Sequence, residues 1–290
     1  MSWLYIALAA YFINSVVFII DKYLLHSRIP SPIGYAFGVS ILSSFAILLV
    51  PFGINWFGFY YFIVAFLSGL SFLVGLIFLY KAVRKSDVSI ASTKIASLSI
   101  VFSYIFSGLI LNDFIIGYNL LAFILIALGI WFLSRVGKDI LFYSIMAGSC
   151  FGLSIVLLKL SFNLSDLING IFWTRVGLMG SGLFLLILKS SRTEIKNSFR
   201  NSSRHSKFVF VGNKIIAGLG SVALYYAIKL GNVVTINSIL GSQFVFVFFL
   251  ALLLKNKLPE VKENLNRKVL VSKLTGISLI TVGFFLFLVK

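Results

Sequence analysis

In a chain as apolar as this one, a polar side chain inside an apolar run is the exception that could do chemistry. Eight residues qualify as candidates for contact with a substrate: Asn14, Lys94, Trp173, Arg175, Asn213, Lys214, Asn237 and Gln243. The four amides must find hydrogen-bond partners if they lie in hydrocarbon, so they face either protein or water. That makes them candidate ligand contacts, with plain helix packing as the alternative. The three cations, Lys94, Arg175 and Lys214, fit an anionic or zwitterionic ligand, Arg through its bidentate fork and Lys as a point charge. Their alternative is a long stem that snorkels to the headgroups, since each stands only one or two turns from the end of its run. Arg175 is the deepest, beside Trp173 and Thr174.

What is missing narrows the chemistry further. All eight acidic residues (Asp21, Asp87, Asp113, Asp139, Asp166, Glu194, Glu260 and Glu263) fall at the ends of apolar runs or between them. A carrier that holds lipophilic cations and protons on one carboxylate needs that group in a low dielectric, which this pattern provides only if Asp21 reaches inward. The single cysteine, Cys150, and the two histidines, His26 and His205, form no metal-binding spacing. No GxxxxGK[ST] loop is present to hold ATP. The acid, base and nucleophile clusters that a membrane enzyme needs at the interface are not seen either. The expectation is a protein that is not an enzyme and carries no cofactor or metal.

The 290 residues are 60% hydrophobic and 11% charged, against about half and about a quarter in a soluble domain. Ten apolar runs near the length of a bilayer span follow one another, at 3–20, 33–52, 57–80, 88–111, 115–134, 140–159, 167–188, 208–228, 232–254 and 270–289. The first lacks the basic flank of a secretory signal and reads as a helix. The four prolines are placed at the margins of the runs, so mostly unbroken helices are expected. Two polar stretches, 189–207 and 255–268, read as solvated loops at the headgroups. The formal charge of +17 is explained by Lys and Arg in the connections, not by a nucleic-acid partner.

Self-similarity organises the runs. The segment from Phe78, FLYKAVRKSDVSIASTKIASLSIVFSYIFSGLILN, aligns without gaps with ALYYAIKLGNVVTINSILGSQFVFVFFLALLLKN from Ala223, half a chain length further on. Runs five and ten share small residues seven apart, Ala122 and Gly129 in one and Gly276 and Gly283 in the other, each pair on one helix face where a neighbour can approach closely. The same reading applies to Gly34 with Gly38 and Gly148 with Gly152. In run four, Ser92, Ser99, Ser103 and Ser107 share a face, and Tyr80, Tyr225 and Tyr226 read as interfacial anchors. Two five-helix halves are expected, residues 1–137 and 138–290. Because five is odd, the second must be inverted in the membrane.

These segments resemble the EamA-type members of the drug/metabolite transporter superfamily, across nearly the whole chain. The strongest part is YKAVRKSDVSIAS and its echo YYAIKLGNVVTINS, and Arg175 in IFWTRVGLMG stands where the family often has an arginine. The chain departs from the family in lacking a proline near Ile100 and Val245, and in having Asn112-Asp113 and Asn256-Lys257 where Gly-Glu is usual. The resemblance implies an all-α integral membrane protein of ten helices. It also implies a secondary carrier, exporter or permease, that moves a small amino-acid-like or anionic metabolite by alternating access. The setting would be a cell (inner) membrane, with the lipid bilayer as partner and with assembly as a monomer or homodimer. The alternative is a scaffold or accessory subunit that transports nothing. On orientation the two expectations differ. About 19 of the Lys and Arg residues follow runs one, three, five, seven and nine, which puts both termini outside, whereas the family keeps both in the cytoplasm.

Overall fold

A computed structural model describes residues 2–27, 31–86, 88–114, 116–133, 140–254 and 267–288. The described residues form twelve α-helices, one 3-10 segment and no strand. They are α1 (Ser2–Ser27), α2 (Pro32–Leu42), a 3-10 segment (Ser43–Phe52), α3 (Phe59–Lys85), α4 (Val88–Leu111), α5 (Tyr118–Leu133) and α6 (Leu141–Leu164). Then come α7 (Leu167–Phe184), α8 (Lys189–Asn201), α9 (Arg204–Leu230), α10 (Val233–Ser238), α11 (Leu240–Leu254) and α12 (Arg267–Leu288). Among the described residues, seven helical segments are long and apolar enough to cross a bilayer, or eight if the bent pair α7 and α8 counts as one. With large side chains such as Leu109, Ile116, Phe208 and Leu253 turned outward, the molecule is a multi-pass helical membrane protein.

In their described residues the ten apolar runs are mostly helical, but three are not the single straight helices expected. The second changes from α-helix to a 3-10 segment at Ser43 and carries Pro51 inside it, whose missing N–H cannot close an α-helical bond. The ninth breaks at Ile239 between α10 and α11. The seventh ends at Phe184 and bends by 102° into α8, so residues 189–201, expected as a loop, are a helix. That helix buries Ser191, Ile195, Ser198 and Ser202, spaced for one face, and turns Lys189, Arg192, Lys196 and Arg200 outward. Glu194 accepts a 2.7 Å hydrogen bond from Ser31, which also caps α2, so α8 is tied to the start of α2. The other long connection, 255–266, lies outside the described residues.

Glycine sets the close helix crossings. A Cβ on Gly69 of α3 would stand 2.2 Å from the Leu178 nitrogen of α7, and one on Gly177 would stand 2.6 Å from Phe66 Cα. On α6, Gly148 faces Ser99 and Gly152 faces Ser103, so α4 and α6 run parallel with a constant register. On α5 and α12 the small residues singled out in sequence meet one another. Gly129 lies against Gly276, and Gly283 lies against Ala122, which makes the crossing antiparallel.

Candidate functional site

A buried polar cluster joins α1, α2, α3 and α9. Asp21 lies six residues before the end of α1, because the helix continues past the first charged pair to Ser27 and buries Leu24 and Leu25. It is 6% exposed. Lys214 of α9 donates to both carboxylate oxygens, at 2.7 and 2.8 Å. The Tyr35 hydroxyl of α2 donates to Oδ1 at 2.5 Å, and the Asn213 amide donates to the same oxygen at 2.6 Å. The Asn213 amide also donates to the Val17 carbonyl. Behind these, Tyr80 of α3 packs edge-on against Tyr35, and Phe210 packs against its other side. The ammonium lies 4.9 Å from the Tyr35 ring and 5.8 Å from the Phe210 ring. Rings at that distance add attraction for a cation where water is excluded. One polar atom is left over: Asn213 Oδ1 is buried and has no hydrogen-bond partner among the described residues.

The other expected site residues divide between this cluster and separate places. Asn14 is half-buried two turns before Asp21 on the same face of α1, and its side chain meets Gly220 of α9. Since Asp21 meets Asn213 seven residues earlier, α1 and α9 run antiparallel in constant register. Arg175 of α7 donates to the Tyr225 hydroxyl of α9 at 2.8 Å and lies 5.3 Å from that ring, so Tyr225, expected as an interfacial anchor, is the partner of the arginine. Asn237 of α10 donates to Ser103 Oγ at 2.9 Å and to Ser99 of α4, away from Asp21. Gln243 is buried on α11, where its backbone carbonyl accepts from Ser15 of α1. Lys94 is half-buried on α4. Trp173 is held at the opposite end of the bundle, donating to the Asn55 carbonyl and packed against Trp56 and Phe62.

The expectation that every carboxylate lies at the edge of a run is corrected by Asp21. Asp21 and Lys22 are adjacent charges, which in sequence mark the end of an apolar run. The signal that could have found it is the seven-residue spacing from Asn14, which puts both polar groups on one face of a helix.

A second polar set closes helix ends. Lys22 donates to the carbonyls of Val83 and Ser86 at the end of α3. Lys159 of α6 donates to those of Ile228, Lys229 and Gly231 at the end of α9, while Lys229 donates back to Phe162 and Ser165 at the end of α6. The last carbonyls of a helix have no intrahelical partner and carry partial negative charge, so an ammonium there is favourable. Nearby, Asn232 donates to Asp113 at 2.6 Å. Asp166 caps α7 by accepting from the Asn169 backbone and side chain. Burial pushes its carboxyl up, but these hydrogen bonds and Lys229 outweigh that and hold it below the usual carboxylate range.

The architecture and the buried ion pair thus define a polytopic helical membrane protein with a charged centre inside the bundle. No protein-family model matches the sequence, and no curated protein matches it. A solved crystal structure aligns over 98% of this chain and 98% of its own with a TM-score of 0.67 and 12% identity. That likeness shows the fold alone.

Proposed function

We propose that the chain is a ten-helix secondary transporter built from two inverted five-helix repeats and similar to the EamA-type carriers, and that it moves a small amino-acid-like or anionic metabolite by alternating access. The observation that carries this reading is the recurrence of the same tertiary hydrogen bonds at fixed offsets. Ser68 of α3 donates to the Ser154 carbonyl of α6, and Asn213 of α9 donates to the Val17 carbonyl of α1. Lys22 of α1 caps Val83 and Ser86 of α3, and Lys159 of α6 caps Ile228 and Gly231 of α9. The step from Val17 to Ser154 is the same as the step from Lys22 to Lys159. The step from Ser68 to Asn213 is the same as those from Val83 to Ile228 and from Ser86 to Gly231, and it is also the offset of the sequence alignment from Phe78 to Ala223. Two unrelated kinds of bond that share both offsets support a duplicated unit in which α1 corresponds to α6 and α3 to α9.

The antiparallel crossing of α5 with α12 agrees with inversion, because a two-fold axis in the membrane plane turns a helix and its counterpart head to tail. The polar groups that join the halves, namely Asp21, Lys214 and Asn213, together with Arg175 in the second half, are what a carrier needs to hold a charged solute. Lys214 would offer its charge only when Asp21 lets go, whereas Arg175 is held by a neutral hydroxyl. The reaction is movement of solute, with no covalent step.

Reconstitution tests this directly. The purified protein in liposomes should accelerate flux of at least one member of a panel of amino acids, organic anions and sugars, and Arg175→Ala should abolish that flux. A folded protein that moves none of them would favour the scaffold reading.

A further inference from the structure

The Asp21 and Lys214 pair has no charged counterpart in the other half. At the same offsets stand Leu158 and Gly69, and Gly69 is closed tightly onto the α7 backbone. The repeat therefore packs without these charges, and their cost needs another explanation. Their side chains are 9% and 8% exposed, so ionised groups there must stay neutralised as a set.

We propose that Asp21 and Lys214 form a proton-coupled carboxylate site: the ligand's carboxylate takes the Lys214 ammonium, and Asp21 takes up one proton as its partner leaves. This rests on the transporter reading and names its coupling ion. The exchange balances. One anion and one proton enter, the new Asp21 O–H bond consumes the proton, Lys214 stays an ammonium, and the net charge of the buried set is unchanged. An anion entering alone would leave a bare carboxylate beside it, which costs several kcal/mol in such a site.

The surroundings suit both protonation states. A hydroxyl and an amide can each donate or accept. With Asp21 ionised, Tyr35 and Asn213 donate to it. With Asp21 protonated, the Tyr35 hydroxyl can turn to accept the new proton, while the Asn213 amide keeps its bonds to Asp21 and to the Val17 carbonyl. The titratable and charged groups facing Asp21 are Lys214 from α9, Tyr35 from α2 and Tyr80 from α3; Lys22 beside it on α1 is directed to the end of α3. Lys214 is thus the one cation donating to it among the described residues. Both oxygens of Asp21 are already held as a ligand carboxylate would be, so the aspartate occupies the anion position until it is neutralised.

The test uses the full chain in lipid nanodiscs, with propionate as probe and methyl propionate as the uncharged control. Titration calorimetry in buffers of different ionisation heat should show one proton taken up per propionate, with affinity falling as pH rises. Asp21→Asn should bind propionate at least tenfold more tightly at pH 7, with no proton uptake and no pH dependence. The double variant Asp21→Asn with Lys214→Gln, which leaves no unpaired charge, should fold and bind nothing. Binding to the native chain without proton uptake, or failure of Asp21→Asn to bind, would overturn the proposal. Solute flux that persists without proton uptake would overturn it while leaving the carrier reading intact. Proton-linked binding with no flux for any solute would uphold the site and remove the carrier reading.

Discussion

Removing one member of the Asp21 and Lys214 pair should be far more harmful than removing both. The carboxylate and ammonium touch through two hydrogen bonds of 2.7 and 2.8 Å, and their side chains are 9% and 8% exposed. Asp21→Asn leaves Lys214 charged and unpaired among the Tyr35 and Phe210 rings. Lys214→Met leaves the carboxylate with only the neutral donors Tyr35 and Asn213. Breaking a buried pair in this way costs about 3–5 kcal/mol, while replacing both members with neutral residues of similar size is often near neutral. The double variant should therefore lie within about 1 kcal/mol of the native protein, giving a coupling energy of at least about 5 kcal/mol. The assay is equilibrium unfolding in mixed micelles, with a bulky sulfonate as the only anion so that chloride cannot replace Asp21. Costs that simply add, or single variants within about 0.5 kcal/mol of the native chain, would refute the claim that the pair is dry and mutually dependent.

Other predictions follow from the same packing. Lys22→Met and Lys159→Met should each lose about 1.5–3 kcal/mol, from hydrogen bonds to a charged donor, and hydrogen exchange should quicken at 80–86 in the first and at 225–231 in the second; exchange that rises equally at both ends in either variant would contradict the capping. Gly69→Val should part α3 from α7 and destabilise by about 1–3 kcal/mol or more, because its Cβ would stand 2.2 Å from backbone. Gly212→Ala, with nothing within 4 Å, should be neutral or stabilise α9 by up to about 1 kcal/mol; thermal melts of the two compare them. Asp166→Ala should cost about 0.5–2 kcal/mol through the lost cap of α7. Because the folded carboxyl is held below its usual range, the stabilisation from Asp166 is complete above about pH 4 and fades as pH falls through the lower folded value, a dependence the Ala variant should lack in acid titrations.

Much of the frame was legible because apolar length and small-residue spacing are local signals. The described residues of the ten runs are mostly helical, seven or eight of the helices being long enough to span, and Ala122, Gly129, Gly276 and Gly283 meet across α5 and α12 as their spacing suggested. Breaks inside runs were harder to see: Pro51 lay at the end of its run and still accompanied a 3-10 turn that began eight residues earlier. The polar composition of α8 concealed a helix whose buried serines and Ile195 recur at helical intervals. Of the site, Asn213 and Lys214 were visible as polar letters in an apolar stretch, but their common partner was not. Asp21 sat beside another charge, which is the usual mark of a helix end. Only the fold, which sets α9 antiparallel to α1, joins residues 192 and 193 positions apart. The lysine contacts to helix ends were hidden for the same reason, since a carbonyl acceptor leaves no trace in residue type.

The central claim, that the halves are inverted copies, is tested most directly by the side from which equivalent positions react. Lys85 and Leu230, the last residues of α3 and α9, stand at the repeat offset from one another and are exposed. In a background of Cys150→Ser, single cysteines at these two positions should label from opposite sides of the membrane with an impermeant maleimide in oriented vesicles. Labelling of both from the same side would contradict the account.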